Sequence, residues 1–61
     1  MTYGELKREL RKNGNRFHHQ GGRHEIWENK ETGEQFLVGR HDTKEVPKGT
    51  LNSIKKTGRL K

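Results

Sequence analysis

Apolar side chains are scarce in this chain, and their placement decides what it can fold into. They make up 23% of 61 residues. They are Met1, Tyr3, Leu6, Leu10, Phe17, Ile26, Trp27, Phe36, Leu37, Val38, Val46, Leu51, Ile54 and Leu60, spread along the whole length rather than confined to one half. A composition this polar leans toward disorder, but the even spread favours a folded mini-domain with a thin core. The length predicts a single domain, residues 1–61, and domains near this size bury only about 60% of their unfolded surface. A partner covering one face would therefore stabilise it by mass action. The chain has no cysteine, which excludes a disulfide scaffold and a cysteine-based zinc site.

The periodicity predicts the order α-β-β-β-α. Thr2 to Asn13 reads as a helix: Thr2 and Glu5 have capping-box spacing, Leu6 and Leu10 share a face with Tyr3 one turn earlier, and Gly14 is a natural stop. Lys7, Arg8, Arg11 and Lys12 read as its solvated side. Asn15 to His19 is a short strand around Phe17, and Gln20-Gly21-Gly22 is a turn. Arg23 to Glu28 is a second strand, Asn29 to Gly33 a loop, and Glu34 to Val38 a third strand with the apolar run Phe36-Leu37-Val38. Gly39 to Val46 is a polar connection. Pro47 suits a first helical position, Leu51 and Ile54 form an apolar stripe, Gly58 ends the helix, and Leu60 folds back onto its last turn. Two helices should cover one face of a small antiparallel sheet and leave the other open, an α+β fold. Strand alternation puts His24 and Ile26 on one face, with Arg23, Glu25 and Trp27 on the other. Trp27, the larger anchor, is expected to face the helices, which sends His24 to the open side.

The charge narrows the partner. Fourteen Lys and Arg against eight Asp and Glu leave a formal +6, with a pI of about 10.1. That is the electrostatic footprint of a nucleic-acid binder. No stretch pairs a basic face with a large apolar one, which disfavours a membrane surface. There is no transmembrane run and no signal peptide, so the expected location is the cytoplasm. His24 stands where a glycine turn gives way to a strand, followed later by Gly39-Arg40-His41. In so basic a chain, this points to one imidazole placed to act on an anionic polymer.

The run His19-Gln20-Gly21-Gly22-Arg23-His24-Glu25-Ile26-Trp27, then Thr32-Gly33, Val38-Gly39-Arg40-His41 and Lys48-Gly49-Thr50-Leu51-Asn52-Ser53-Ile54, resembles the HicA toxin family. The Leu6/Leu10 helix ending at Asn13-Gly14 also looks like the family's start. The resemblance covers nearly the whole chain in order and spacing. It implies a double-stranded-RNA-binding-domain-like (dsRBD-like) fold and a ribonuclease that cleaves mRNA and is neutralised by a HicB-type antitoxin. The family's catalytic histidine, at the start of the second strand, falls on His24. Two positions depart from the pattern. The turn reads Gly21-Gly22-Arg23 where serine often follows glycine, and the third strand ends Gly39-Arg40-His41 rather than Pro-Arg-His.

One histidine is enough for chemistry on RNA, because the substrate carries its own nucleophile, the 2′-hydroxyl. Neutral imidazole, abundant at physiological pH, removes that proton as a general base. Cations stabilise the charge that builds on the phosphate. Arg23, Arg40 and Lys44 are the candidates, with Lys48 a more distant RNA contact and His41 either supporting the site or closing the third strand. No cluster of carboxylates stands ready for a metal, and no cofactor is implied. His18 and His19 should point to opposite strand faces, which argues against joint zinc ligation. Trp27 suits the core better than base stacking. Glu25 lies on the wrong face to assist His24, and Gly21-Gly22 is too short to cradle phosphates as a P-loop does. Two other readings remain: a non-catalytic RNA-binding module of the same fold, and a toxin that has lost activity but still binds its antitoxin.

Overall fold

A computed structural model describes residues 1–60; Lys61, the last residue of the expected domain, lies outside them. The first helix, α1 (Tyr3–Lys12), starts where the spacing predicts. The Thr2 hydroxyl accepts from the Glu5 amide at 3.3 Å, and the Glu5 carboxylate accepts from the Thr2 amide at 2.9 Å. That backbone amide, together with the Thr2 hydroxyl, holds the Glu5 carboxyl below its ordinary range. Leu6 and Leu10 are fully buried, and Gly14, at φ +83°, turns the chain out of the helix.

Three strands follow: β1 (Asn15–Gly21), β2 (His24–Asn29) and β3 (Gln35–Gly39), antiparallel in the order β1-β2-β3. The expected turn at Gln20-Gly21-Gly22 shrinks to Gly22-Arg23, because Gly21 is still paired with His24. Gly22 takes the positive φ of +56°. Gly21 instead makes room, since a Cβ there would stand 3.0 Å from Ile26 Cγ1.

The predicted polar connection is more than a link. An isolated bridge joins Thr2 to Glu45. The amides of Tyr3 and Gly4 donate to the carbonyls of Lys44 and Asp42, both at 3.0 Å. The loop thus lies along the first turn of α1 and delivers Val46 to the core. The second helix, α2 (Lys48–Gly58), begins one residue later than expected: Pro47 is its N-cap and offers no side-chain cap. At the other end the left-handed residue is Arg59, at φ +55°, rather than a glycine. The Leu60 amide reaches back to the Lys55 carbonyl at 2.9 Å, which closes the predicted fold-back.

Leu6, Leu10, Trp27, Val38, Val46 and Ile54 form the core, with Tyr3, Phe36, Leu51 and Leu60 packed against it. The helices cover the sheet face that carries Trp27 and Val38. This is the α-β-β-β-α, dsRBD-like arrangement expected from the sequence. No helix among the described residues is long and apolar enough to cross a membrane.

Candidate active site

His24 opens the central strand, and its register partners are Gly21 on β1 and Gly39 on β3. Neither neighbour carries a side chain, so no cross-strand residue flanks the imidazole directly, and it is exposed. Gly39 has a second role. A Cβ there would fall 2.7 Å from Tyr3 Cζ, so the Tyr3 ring lies on this glycine. The departure from proline at the end of the third strand is thus filled by an aromatic ring from α1.

The same register brings two of the nominated cations beside His24. Arg23 is in the hairpin turn just before His24, and Arg40 follows the glycine paired with it. His41 begins a turn closed by a 3.0 Å bond from the Lys44 amide to its carbonyl. Lys48 is the first residue of α2. All of them are exposed. Among the described residues, Arg23, Arg40, Lys44 and Lys48 have no carboxylate within salt-bridge distance, whereas Arg16 is bonded to Glu28 at 2.8 Å.

Both helices add to this field. The far end of α2 is fixed by Asn15, which donates to the Gly58 carbonyl at 2.9 Å, and by Asn29, which donates to the Thr57 carbonyl at 2.9 Å. Asn15 and Asn29 face each other at the end of the sheet opposite His24. Asn15 also bonds the Leu10 carbonyl in the last turn of α1, while Tyr3 in its first turn touches Gly39. The positive end of α1 therefore lies at the His24 end, and that of α2 points away from the asparagine end. The first turn of α2 has neither an acidic residue nor a side-chain cap, so its amides are free to meet an anion.

Several other expectations resolve. Trp27 is fully buried, edge-to-face with Phe17 at 6.3 Å and with the Arg11 guanidinium 5.1 Å from its ring centre, so it cannot stack a base. Glu25 is engaged on the helix side, where it accepts from Trp27 Nε1 at 3.0 Å. The opposite-face argument for His18 and His19 is overturned. A bulge between Phe17 and His19 breaks the alternation, and the two Nδ1 atoms stand 2.6 Å apart. They remain only a pair: among the described residues no group of three or more His, Cys, Asp or Glu side chains is placed to hold a metal ion. A groove lined by Met1, Glu9, Asn13, Lys55 and Leu60 lies between the helices and contains no nominated residue. His24 and the nominated residues are all exposed, as contact with a polymer would require.

Sequence reasoning missed Lys7, Asn15 and Asn29, all buried. A signal for Lys7 existed, because it lies four residues after Tyr3 and three before Leu10, within the apolar stripe. No comparable signal marks the asparagines.

Comparison with the curated proteins and with the solved structures gave no match. Among protein families, residues 3–60 match the one described as the HicA toxin of bacterial toxin-antitoxin. With nearly its whole length matched and the α-β-β-β-α order in place, the chain belongs to the HicA toxin family.

Proposed function

We propose that this chain, acting as a single domain over residues 1–61, is a metal-independent endoribonuclease that cleaves mRNA in the cytoplasm. The observation that carries this reading is the position of His24. Its imidazole is exposed at the head of the central strand, bracketed by two glycines, with Arg23 and Arg40 adjoining in the register. His24 takes the proton of a 2′-hydroxyl. The oxygen attacks the adjoining phosphorus, the bond to the 5′ oxygen breaks, and the leaving oxygen takes a proton from water. Arg23, Arg40 and Lys44 hold the extra charge of the pentacoordinate phosphate. Lys48 and the open first turn of α2 bind a phosphate farther along the strand, and His41 stands beside this row.

A HicB-type antitoxin is the proposed partner. It would silence the toxin by covering the open sheet face and placing acidic groups against the free cations. The middle of that face suits a protein better than RNA, because Ile26 and Leu37 are aligned there, Leu37 is 56% exposed, and Arg16 is neutralised by Glu28. A complex that leaves His24 fully accessible would rule this arrangement out.

One observation favours a second reading. Among the described residues no side chain hydrogen-bonds the His24 imidazole, whereas a catalytic base is commonly oriented by a third group. A non-catalytic RNA-binding module, or an inactive toxin, would look the same. The deciding experiment is cleavage of single-stranded RNA in excess EDTA, with product ends identified. The ribonuclease reading predicts 2′,3′-cyclic phosphate ends and no cut where the scissile nucleotide is 2′-deoxy. RNA binding without any cut favours the module or the inactive toxin.

A further inference from the structure

Lys7 is a lysine in a place where packing alone calls for an apolar residue. It lies on the Tyr3, Leu6, Leu10 stripe of α1, and its side chain is only 5% exposed. Its Nζ is 3.1 Å from Glu25 Oε2 and 2.5 Å from Asp42 Oδ1. A buried ammonium is tolerated only when paired, and a well-packed apolar group of similar volume commonly serves stability as well or better. The Asp42 side chain is moreover 65% exposed, so its ion pair adds little to stability and points to a role beyond it.

The positions of the two carboxylates supply one. Glu25 follows His24 in β2, and its other oxygen is held by the indole of the fully buried Trp27. Asp42 follows His41 and Arg40 in the loop, and its carbonyl accepts from the Gly4 amide. One ammonium group thus joins the strand that presents His24 to the loop that presents Arg40 and His41. Among the described residues no other side-chain hydrogen bond or ion pair makes that connection.

We propose that Lys7 is a positioning residue of this site, which fixes the His24 strand and the Arg40-His41 loop at the spacing that a reacting phosphate requires. The proposal rests on the ribonuclease reading above. A group displaced by about 1 Å can lose about a hundredfold in rate, so releasing the loop should act on turnover more than on binding.

The test uses Lys7→Met, which keeps bulk, Asp42→Asn, which removes the charge on the loop side, and Asp42→Glu, which restores it. Melting, RNA binding and single-turnover cleavage are measured on each. Lys7→Met and Asp42→Asn should fold and bind RNA nearly as the wild type does, yet cut roughly ten- to a hundredfold more slowly at saturating RNA. Asp42→Glu should recover much of that rate. Amide exchange of Gly4 and Lys44 should quicken in Lys7→Met while that of Leu10 stays slow. Wild-type cleavage by a folded Lys7→Met protein, or unchanged Gly4 and Lys44 exchange, overturns the positioning role. So does a rate loss that only follows the unfolded fraction. If the wild type itself does not cut RNA, the ribonuclease reading falls first and takes this role with it; the exchange data then show only whether the tie is structural.

Discussion

At one end of the sheet, Asn15 and Asn29 face each other across β1 and β2, each 2% exposed, and their amides hold the last carbonyls of α2. At the other end, His24 faces two glycines, and the charged groups around it are exposed. The first end spends its polar groups on the fold. Asn15 Nδ2 reaches the carbonyls of Leu10 and Gly58, while its own Oδ1 is buried without a partner. The second end, among the described residues, leaves Arg23 and Arg40 without a carboxylate partner and carries the N-terminus of α1, where Tyr3 lies on Gly39. In a domain with so thin a core, the contrast shows how an exposed surface is kept open: the asparagine bonds that lock α2 to the sheet sit a full strand length away from it.

The comparison predicts that changes at the asparagine end lower stability without altering the rate of the folded molecule. Asn15→Ala should have the largest effect, because the Gly58 carbonyl loses its side-chain partner in a buried place. The cost is about 1–3 kcal/mol for an orphaned group, read as a fall in the denaturant midpoint. Gly58→Ala should follow. A Cβ there would meet Leu10 Cδ2 at 2.8 Å, and overpacking of this kind costs about 1–3 kcal/mol. Arg59→Gly is the smallest and opposite in sign. Its φ of +55° is strained for any residue with a side chain, so glycine should stabilise by about 1 kcal/mol. In all three, cleavage per folded molecule should match the wild type. A rate change larger than the folded fraction explains would break the separation of the two ends.

What the sequence disclosed, and what it hid, follows the range of the interactions. The capping box of Thr2 and Glu5 is closed within one turn, so spacing alone located the start of α1. Trp27 inward and His24 outward follow from strand alternation, which β2 obeys throughout its length. The bulge at His18 was hidden because it is a property of how β1 pairs with β2, and Phe17-His18-His19 carries no glycine or proline to announce it. Gly58 was read as a stop signal through its backbone freedom. Its actual role is closeness to Leu10 and Asn15, which only the packed helices define, and the left-handed position passed to Arg59. Lys7 read as solvated because its two carboxylates, Glu25 and Asp42, are distant in sequence. The cations were legible as charge, but the nearness of Arg40 to His24 depends on the pairing of His24 with Gly39.

The central claim is that His24 carries the chemistry and none of the fold. The most direct measurement compares wild type with His24→Ala for melting temperature, RNA affinity and cleavage in excess EDTA. The account predicts an unchanged melting temperature, affinity altered only modestly, and a rate lower by at least about a hundredfold, as expected when a general base is removed. Equal cleavage by both proteins, or a mutant that fails to fold, would contradict it.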